Sequence, residues 1–345
     1  MTFPLEHANE MTNSHILRQA FDYYEPVSLA ETFALLDCYG DGARLMCGGT
    51  HLLVMMKMER ETPQALINLS HLPGFRKIEI RPGDQALVIG AGASIRSLFA
   101  SPLVRERYPA LAEACASFGS AQIQSMGTLG GNLCNGSPAA DTVPALLVLD
   151  AQLQLASVQG LRLVRLEDFL LGPGRVDLRP GEILQSVILP DCGKGSTSHF
   201  VKVSRVAADL AKASVAVSMR REGERIWDCR VAMGSVAPTA RRLAQAETLL
   251  NGREYSEALL LEAGRAAAHE ISPIDDIRSS AWYRRQLAAV MLYDALKETW
   301  ERCCPTWTLS YPIVPVDGWE HSSTLSREVR AGEMAEITLR VNGRS

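Results

Sequence analysis

Apolar residues along this chain change their spacing several times, and the changes divide it. Leu29, Phe33 and Leu36 recur at helical spacing behind Ser28 and Glu31, a serine and a glutamate three apart that can cap a helix start reciprocally. Residues 43–47 predict a short strand running into a Gly-Gly turn, and Thr50 predicts the cap of a helix reaching residue 58. Residues 65–69, 77–80 and 86–91 read as strands, with Pro-Gly turns at 73–74 and 82–83. Residues 108–118 read as a helix, 145–149 and 152–156 as apolar runs, and 183–189 as a strand after a Pro/Gly-rich stretch at 172–181.

The stretch 191–198 (Asp-Cys-Gly-Lys-Gly-Ser-Thr-Ser) is the best domain boundary. Three strands are expected beyond it, near 199–205, 213–220 and 226–233. Two or three helices follow, the last over about 280–301. Strands followed by helices predict an α+β domain. Residues 1–20 look like a loose leader, and no internal repeat is visible.

At 345 residues the chain has room for two or three domains, and 47% hydrophobic residues can fill their cores. Thirty-five Lys and Arg against 39 Asp and Glu leave a net charge of −4. With no basic cluster, that balance argues against a nucleic-acid binder. No run approaches the ~20 apolar residues of a membrane span. The first 20 residues carry Glu6, His7, Asn9 and Glu10 and lack the apolar centre of a signal peptide, so the expected location is the cytoplasm. The eight cysteines form no C-x-x-C and no metal-ligand spacing; reduced buried thiols are the expectation. The seven histidines are scattered, and no nucleophile triad is visible.

The most informative segment is 125–141, Ser-Met-Gly-Thr-Leu-Gly-Gly-Asn-Leu-Cys-Asn-Gly-Ser-Pro-Ala-Ala-Asp. Gly127, Gly130, Gly131 and Gly136 allow close backbone approach, and successive exposed N–H groups in such turns can cradle an anion. A second glycine turn, Gly48-Gly49, lies upstream in Leu-Met-Cys-Gly-Gly-Thr-His-Leu. Two such turns suit a long ligand with two phosphates; ordinary tight turns are the competing reading, more so for Gly48-Gly49. A third candidate, Val-Ile-Gly-Ala-Gly-Ala-Ser-Ile at 88–95, is a decoy. Its G-x-G follows a strand, but Ile95 stands where a third glycine belongs. A strand leading into a helix capped by Ser94 is preferred.

The pair CGGTHLL and TLGGNLCNGSPAADT resembles the FAD-binding subunit of molybdenum hydroxylases. This is the xanthine dehydrogenase and carbon monoxide dehydrogenase family in its three-subunit bacterial form. EILQSVILP at 182–190, FVKVSR at 200–205, GSVAPT at 234–239 and DIRSSAWYRR at 276–285 agree with it. The resemblance runs in order from about residue 21 to 300. It implies an α+β fold. A two-lobed FAD-binding domain of the vanillyl-alcohol-oxidase-like (PCMH) type would span 21–191, with lobes at about 21–76 and 77–191. A smaller C-terminal domain, three strands plus helices, would span 196–302. The inserted iron–sulfur loop of the hydroxybenzoyl-CoA reductases is not found.

Site residues follow one at a time from the resemblance. Leu45, Met46, Cys47, Gly48, Gly49, Thr50, His51 and Leu52 would wrap the FAD pyrophosphate. Thr128, Leu129, Gly130, Gly131 and Asn132 match the second binding loop. Phe118 matches an apolar position packing on the cofactor, or is a helix-end core residue. Asp141 matches an acidic residue holding ribose or adenine-side hydroxyls, or caps a helix. Leu184 matches a contact near the flavin ring. Lys202 would place a positive charge near the flavin, or is a solvated strand lysine. His51 and Cys47 depart from the usual pattern, His51 altering charge near the phosphates.

The implied function is that of an electron exit port. A molybdopterin-binding large subunit oxidises the substrate, a small subunit passes electrons through two [2Fe–2S] clusters, and FAD here delivers them to NAD or another acceptor. The rivals are a stand-alone flavin oxidase, for which no acid or base is evident, and a scaffold without flavin. The last segment, 334–345, alternates Ile337, Leu339 and Val341 with polar residues before Asn342-Gly343, a hairpin signal without a return strand. The segment also resembles the opening strand and turn of the small [2Fe–2S] subunit of these complexes, which implies that residues from about 303 onward are a linker and the orphaned start of a [2Fe–2S] domain; the alternative is a tail pairing with a sheet edge.

Overall fold

The computed structural model describes residue 17 and residues 19–193 and 195–303. The chain begins with β1 (Asp22–Tyr24), a strand too short for hydrophobic spacing to announce. Ser28 then starts α1 (Leu29–Tyr39), its Oγ accepting the Glu31 N–H at 3.2 Å. Glu31 closes the cap on Val27 N–H at 3.0 Å, one residue before the serine. β2 (Ala43–Met46), α2 (Leu52–Lys57) and β3 (Ala65–Asn68) follow. Thr50 does not cap α2. His51 occupies that position and makes no side-chain cap. β3 is buried at every residue because it lies between β1 and β2, parallel to both.

β4 (Ile78–Ile80) and β5 (Leu87–Gly90) open a second sheet. Six short helices come next: α3 (Ile95–Ala100), α4 (Pro102–Arg107), α5 (Pro109–Ala116), α6 (Ala121–Met126), α7 (Leu129–Cys134) and α8 (Thr142–Val148). Ser94 caps α3 as expected, its Oγ accepting Ser97 N–H at 3.0 Å. The glycine-rich segment, expected to be an open loop, is largely helical, as is the apolar run at 145–149. β6 (Gln152–Ser157), β7 (Gly160–Arg165), α9 (Leu166–Phe169), the hairpin of β8 (Leu170–Gly172) and β9 (Arg175–Val176), and β10 (Ile183–Leu189) complete this half. The large sheet runs β4-β5-β10-β6-β7, antiparallel throughout.

The last third holds β11 (Ser196–Val203), β12 (Ala213–Glu222), β13 (Arg225–Gly234), β14 (Arg241–Arg242), α10 (Ala244–Leu250), α11 (Glu257–Glu270) and α12 (Ala281–Arg302). Its sheet has four strands, not the expected three. The addition is β14, two arginines paired with Ala232 and Met233, too short and too charged to read as a strand. α12 packs on β11 and β12 and α10 on β13, with α11 laid against both helices, around a core that includes Val215, Val231, Leu260, Leu292 and Leu296.

A larger core includes Ile89, Leu111, Leu129, Leu146, Leu153 and Val187 in the first two sheets. It continues across the 191–198 stretch, since Phe200, Ala216, Ala232 and Ala240 belong to it. The break in the sequence is thus not a break in packing. Among the described residues no helix is long and apolar enough to cross a membrane. The expected iron–sulfur fragment beyond residue 303 lies outside the described residues.

Candidate flavin site

The Gly48-Gly49 turn leaves β2 and enters α2. A β-carbon on Gly48 would stand 2.0 Å from the Met126 carbonyl oxygen and 3.2 Å from Gly127 Cα. The first glycine turn therefore lies backbone to backbone on the α6–α7 junction, and only glycine permits that approach. Gly49 takes φ +67°, the left-handed region that disfavours a side chain. Among the described residues no acceptor meets the backbone N–H groups of Gly48, Gly49, Thr50 or His51. Four consecutive unclaimed donors in a tight turn are the raw material of an anion cradle.

The second segment behaves differently. Thr128 is the N-cap of α7, and its Oγ1 accepts Gly131 N–H at 3.2 Å. Leu129 N–H bonds Ala93 O at 3.0 Å, Gly130 N–H bonds Ala91 O at 2.8 Å, and Asn132 N–H bonds Thr128 O at 3.0 Å. A β-carbon on Gly130 would meet Ala91 Cβ at 2.7 Å. These amides are spent on the fold, so the segment supplies a rigid wall rather than the run of free donors expected from its glycines. Asn132 is held by Thr142, whose Oγ1 lies 2.6 Å from its Oδ1.

The rejected G-x-G stretch turns out to be the seat for this wall. Ala91 and Ala93 carry α7, Ser94 faces Thr128 across an isolated bridge, and Ile95 N–H bonds Gly127 O at 2.9 Å. Sequence reasoning missed Ala91 and Ala93; the run of small residues at 90–94 was the available signal.

A β-carbon on Gly127 would lie 3.7 Å from Phe118 Cε1 and 3.8 Å from Thr50 Oγ1. Phe118, Thr50 and both glycine segments therefore converge. Beside Phe118, the Ser117 carbonyl accepts from Lys202 Nζ at 3.0 Å. The same Nζ lies 2.7 Å from Asp141 Oδ2, and the two side chains are 3% and 5% exposed. Lys202 is not a solvated strand lysine. Asp141 precedes α8 but makes no cap with its side chain. Its Oδ1 is buried with no partner among the described residues. Burial pushes the Asp141 carboxyl up to about 6, against the pull of the Lys202 ammonium.

Leu184 is buried on β10, next to Gln185, whose carbonyl accepts Ala91 N–H at 2.9 Å. It belongs to the wall behind α7, with no direct contact to the Asp141–Lys202 pair among those described. Leu45 and Met46 are ladder residues of β2, paired with Ile67 and Asn68. Cys47 Sγ lies 3.6 Å from Ser70 Oγ. His51 is exposed and Leu52 opens α2. No described cysteine forms a disulfide, and among the described residues no His/Cys/Asp/Glu group could hold a metal ion.

Known proteins give this geometry its context. Residues 19–192 match the FAD binding domain in molybdopterin dehydrogenase, and residues 198–299 match the CO dehydrogenase flavoprotein C-terminal domain. The carbon monoxide dehydrogenase medium chain of Hydrogenophaga pseudoflava is 33% identical over 82% of this chain and 98% of its own length. A putative xanthine dehydrogenase FAD-binding subunit of Escherichia coli strain K12 is 28% identical, covering 80% and 94%. A solved carbon monoxide dehydrogenase from Hydrogenophaga pseudoflava superposes with a TM-score of 0.80 at 34% identity, covering 84% of this chain and 100% of that one. The chain belongs to the FAD-binding medium subunits of the molybdenum hydroxylase family, an oxidoreductase family.

Proposed function

We propose that this chain is the electron exit subunit of a molybdenum hydroxylase complex. FAD would be held by the two glycine segments and the Asp141–Lys202 pair. The observation that carries the reading is the pairing of unclaimed groups. Four free N–H donors at 48–51 suit a pyrophosphate, and the orphaned Asp141 Oδ1 suits a hydroxyl donor. Two bonds from Lys202 Nζ leave a third proton for the same ligand. Gly48 keeps the turn pressed on residues 126–127, and α7 gives the ligand a wall that does not yield. Phe118 provides apolar surface, and Leu184 backs the wall from β10.

When bound, FAD supplies electron acceptance in single steps and release as hydride. The residues here supply position and charge: backbone donors for phosphate, a carboxylate that fixes a hydroxyl, and an ammonium that favours added negative charge nearby. Relatives that this chain covers over nearly their whole length are named as medium chains, which supports a large molybdopterin-binding and a small [2Fe–2S] partner for this chain too. NAD is the proposed acceptor and the cytoplasm the proposed location. The vanillyl-alcohol-oxidase-like description is retained for the FAD-binding half.

The test is direct. The purified chain should carry one FAD per polypeptide by visible absorption and acid release. It should co-purify with molybdenum- and iron-containing chains, and NADH should reduce its flavin anaerobically. A colourless chain that cannot be reconstituted with FAD would defeat the site. A yellow chain that NADH does not reduce would defeat only the acceptor.

A further inference from the structure

Helix α5 and strand β11 meet along three polar rungs. At the first, Ala110 N–H bonds Ser198 Oγ at 3.2 Å. At the second, Glu113 Oε2 accepts Phe200 N–H at 2.8 Å and lies 2.8 Å from His199 Nδ1. At the third, Ser117 O accepts from Lys202 Nζ. Residues 110 and 113 of α5 and Ser117, which caps its C-terminus, fall along one side of the helix. Residues 198, 200 and 202 step along the strand two at a time. The two periods therefore run in register, and the last rung ends at the buried Asp141.

Glu113 is the charged centre of this contact. Its Oε1 also accepts from Arg302 Nη1 at 2.6 Å, at the end of α12. Burial opposes its ionisation, but the His199 hydrogen bond, Arg302 and the Phe200 amide hold its carboxyl below the usual range. β11 is an edge strand of its sheet, so Phe200 N–H has no strand partner on that side. Glu113 supplies the missing acceptor. It sits two residues along the strand and one helical turn from the Lys202 rung.

We infer that Glu113 is a positioning residue for Lys202: by fixing β11 lengthwise against α5, it sets where the Lys202 ammonium stands at the flavin site. The inference rests on the proposed flavin role of Lys202. Without the carboxylate, β11 is still held at its two outer rungs but loses its central stop, and Arg302 loses its buried counter-charge.

A double-mutant cycle on the full chain tests this, with FAD dissociation constant and visible circular dichroism of the bound flavin as readouts. Glu113→Gln keeps the volume but exchanges one oxygen for an NH2 donor, so it cannot accept from both Phe200 N–H and Arg302 Nη1, and it loses the charge. It should weaken FAD binding about tenfold and move the flavin spectrum towards that of Lys202→Met. In the Lys202→Met background, Glu113→Gln should change affinity by less than about twofold, because its route to the ligand is gone. Equal losses in both backgrounds would mean that Glu113 acts on the fold alone and would overturn the inference, as would unchanged affinity in Glu113→Gln. Should Lys202→Met bind FAD like the wild type, the flavin role of Lys202 fails and the inference with it. If Glu113→Gln does not fold, Glu113→Asp takes its place in the cycle: the charge is kept and the reach shortened, with the same expected dependence on Lys202.

Discussion

Lys202 Nζ and Asp141 Oδ2 lie 2.7 Å apart although the two residues are 61 positions apart in sequence, and together they tie β11 to the start of α8. A buried ion pair gains little net stability, because both charges give up water. What the pair leaves over is one unpartnered carboxylate oxygen and one ammonium proton without a bond among those described.

Asp141→Ala should therefore weaken FAD binding by roughly tenfold to a hundredfold, the loss of ~1.5–3 kcal/mol from a charged hydrogen bond. Titration of the deflavinated chain with FAD measures it. Unchanged affinity with a lower melting temperature would reduce Asp141 to a structural group.

The raised carboxyl of Asp141 also predicts a pH dependence in the flavin-free chain. Its folded value, about 6, lies above its ordinary 3.8. Below about pH 4 the group is protonated whether folded or unfolded, and its contribution is fully present. Stability is lost as pH rises from about 4 through 6, on the order of 3 kcal/mol at ~1.4 kcal/mol per tenfold. Denaturant unfolding at pH 4 and pH 7 should show this loss in the wild type relative to Asp141→Asn. A difference that does not change with pH would refute it.

Gly48→Ala should be worse than Gly131→Ala. The first drives a β-carbon into the Met126 carbonyl, whereas the second meets only Thr128 Oγ1, at 3.0 Å. Overpacking of the first kind costs ~1–3 kcal/mol and parts the two glycine segments, so FAD should be lost on gel filtration. Gly131→Ala should keep its flavin. Gly131→Asp, which adds negative charge to the exposed first turn of α7, should lose it.

Thr128→Ala should cost about 1 kcal/mol by leaving Gly131 N–H without its cap, and Thr128→Ser should restore it. Thermal melts of the two variants side by side decide the point.

Much of this arrangement is legible in the sequence, for local reasons. Ser28 and Ser94 announce their helices because a cap is settled within four residues. The glycine segment is not legible in the same way. Gly130 and Gly131 argue against a helix by propensity, yet α7 forms because Ala91 and Ala93, far back in the chain, take its first N–H groups. Thr128 was a cap hidden in a segment read as a loop. Lys202 among strand valines looked solvated, since nothing nearby in sequence shows that Asp141 and Ser117 close over it. Glu113 gave no signal, because Phe200, His199 and Arg302 reach it from two distant elements.

The contact between Glu113 and the Phe200 amide has a practical consequence for handling the protein. An uncovered edge strand invites pairing with another molecule, and here a helix from the other half of the chain covers it. Residues 198–299 produced alone would present β11 bare, with Phe200 out of its core and Lys202 parted from Asp141 and Ser117. Such a fragment should aggregate in proportion to its concentration, and solubility would return on adding residues 19–192 in trans.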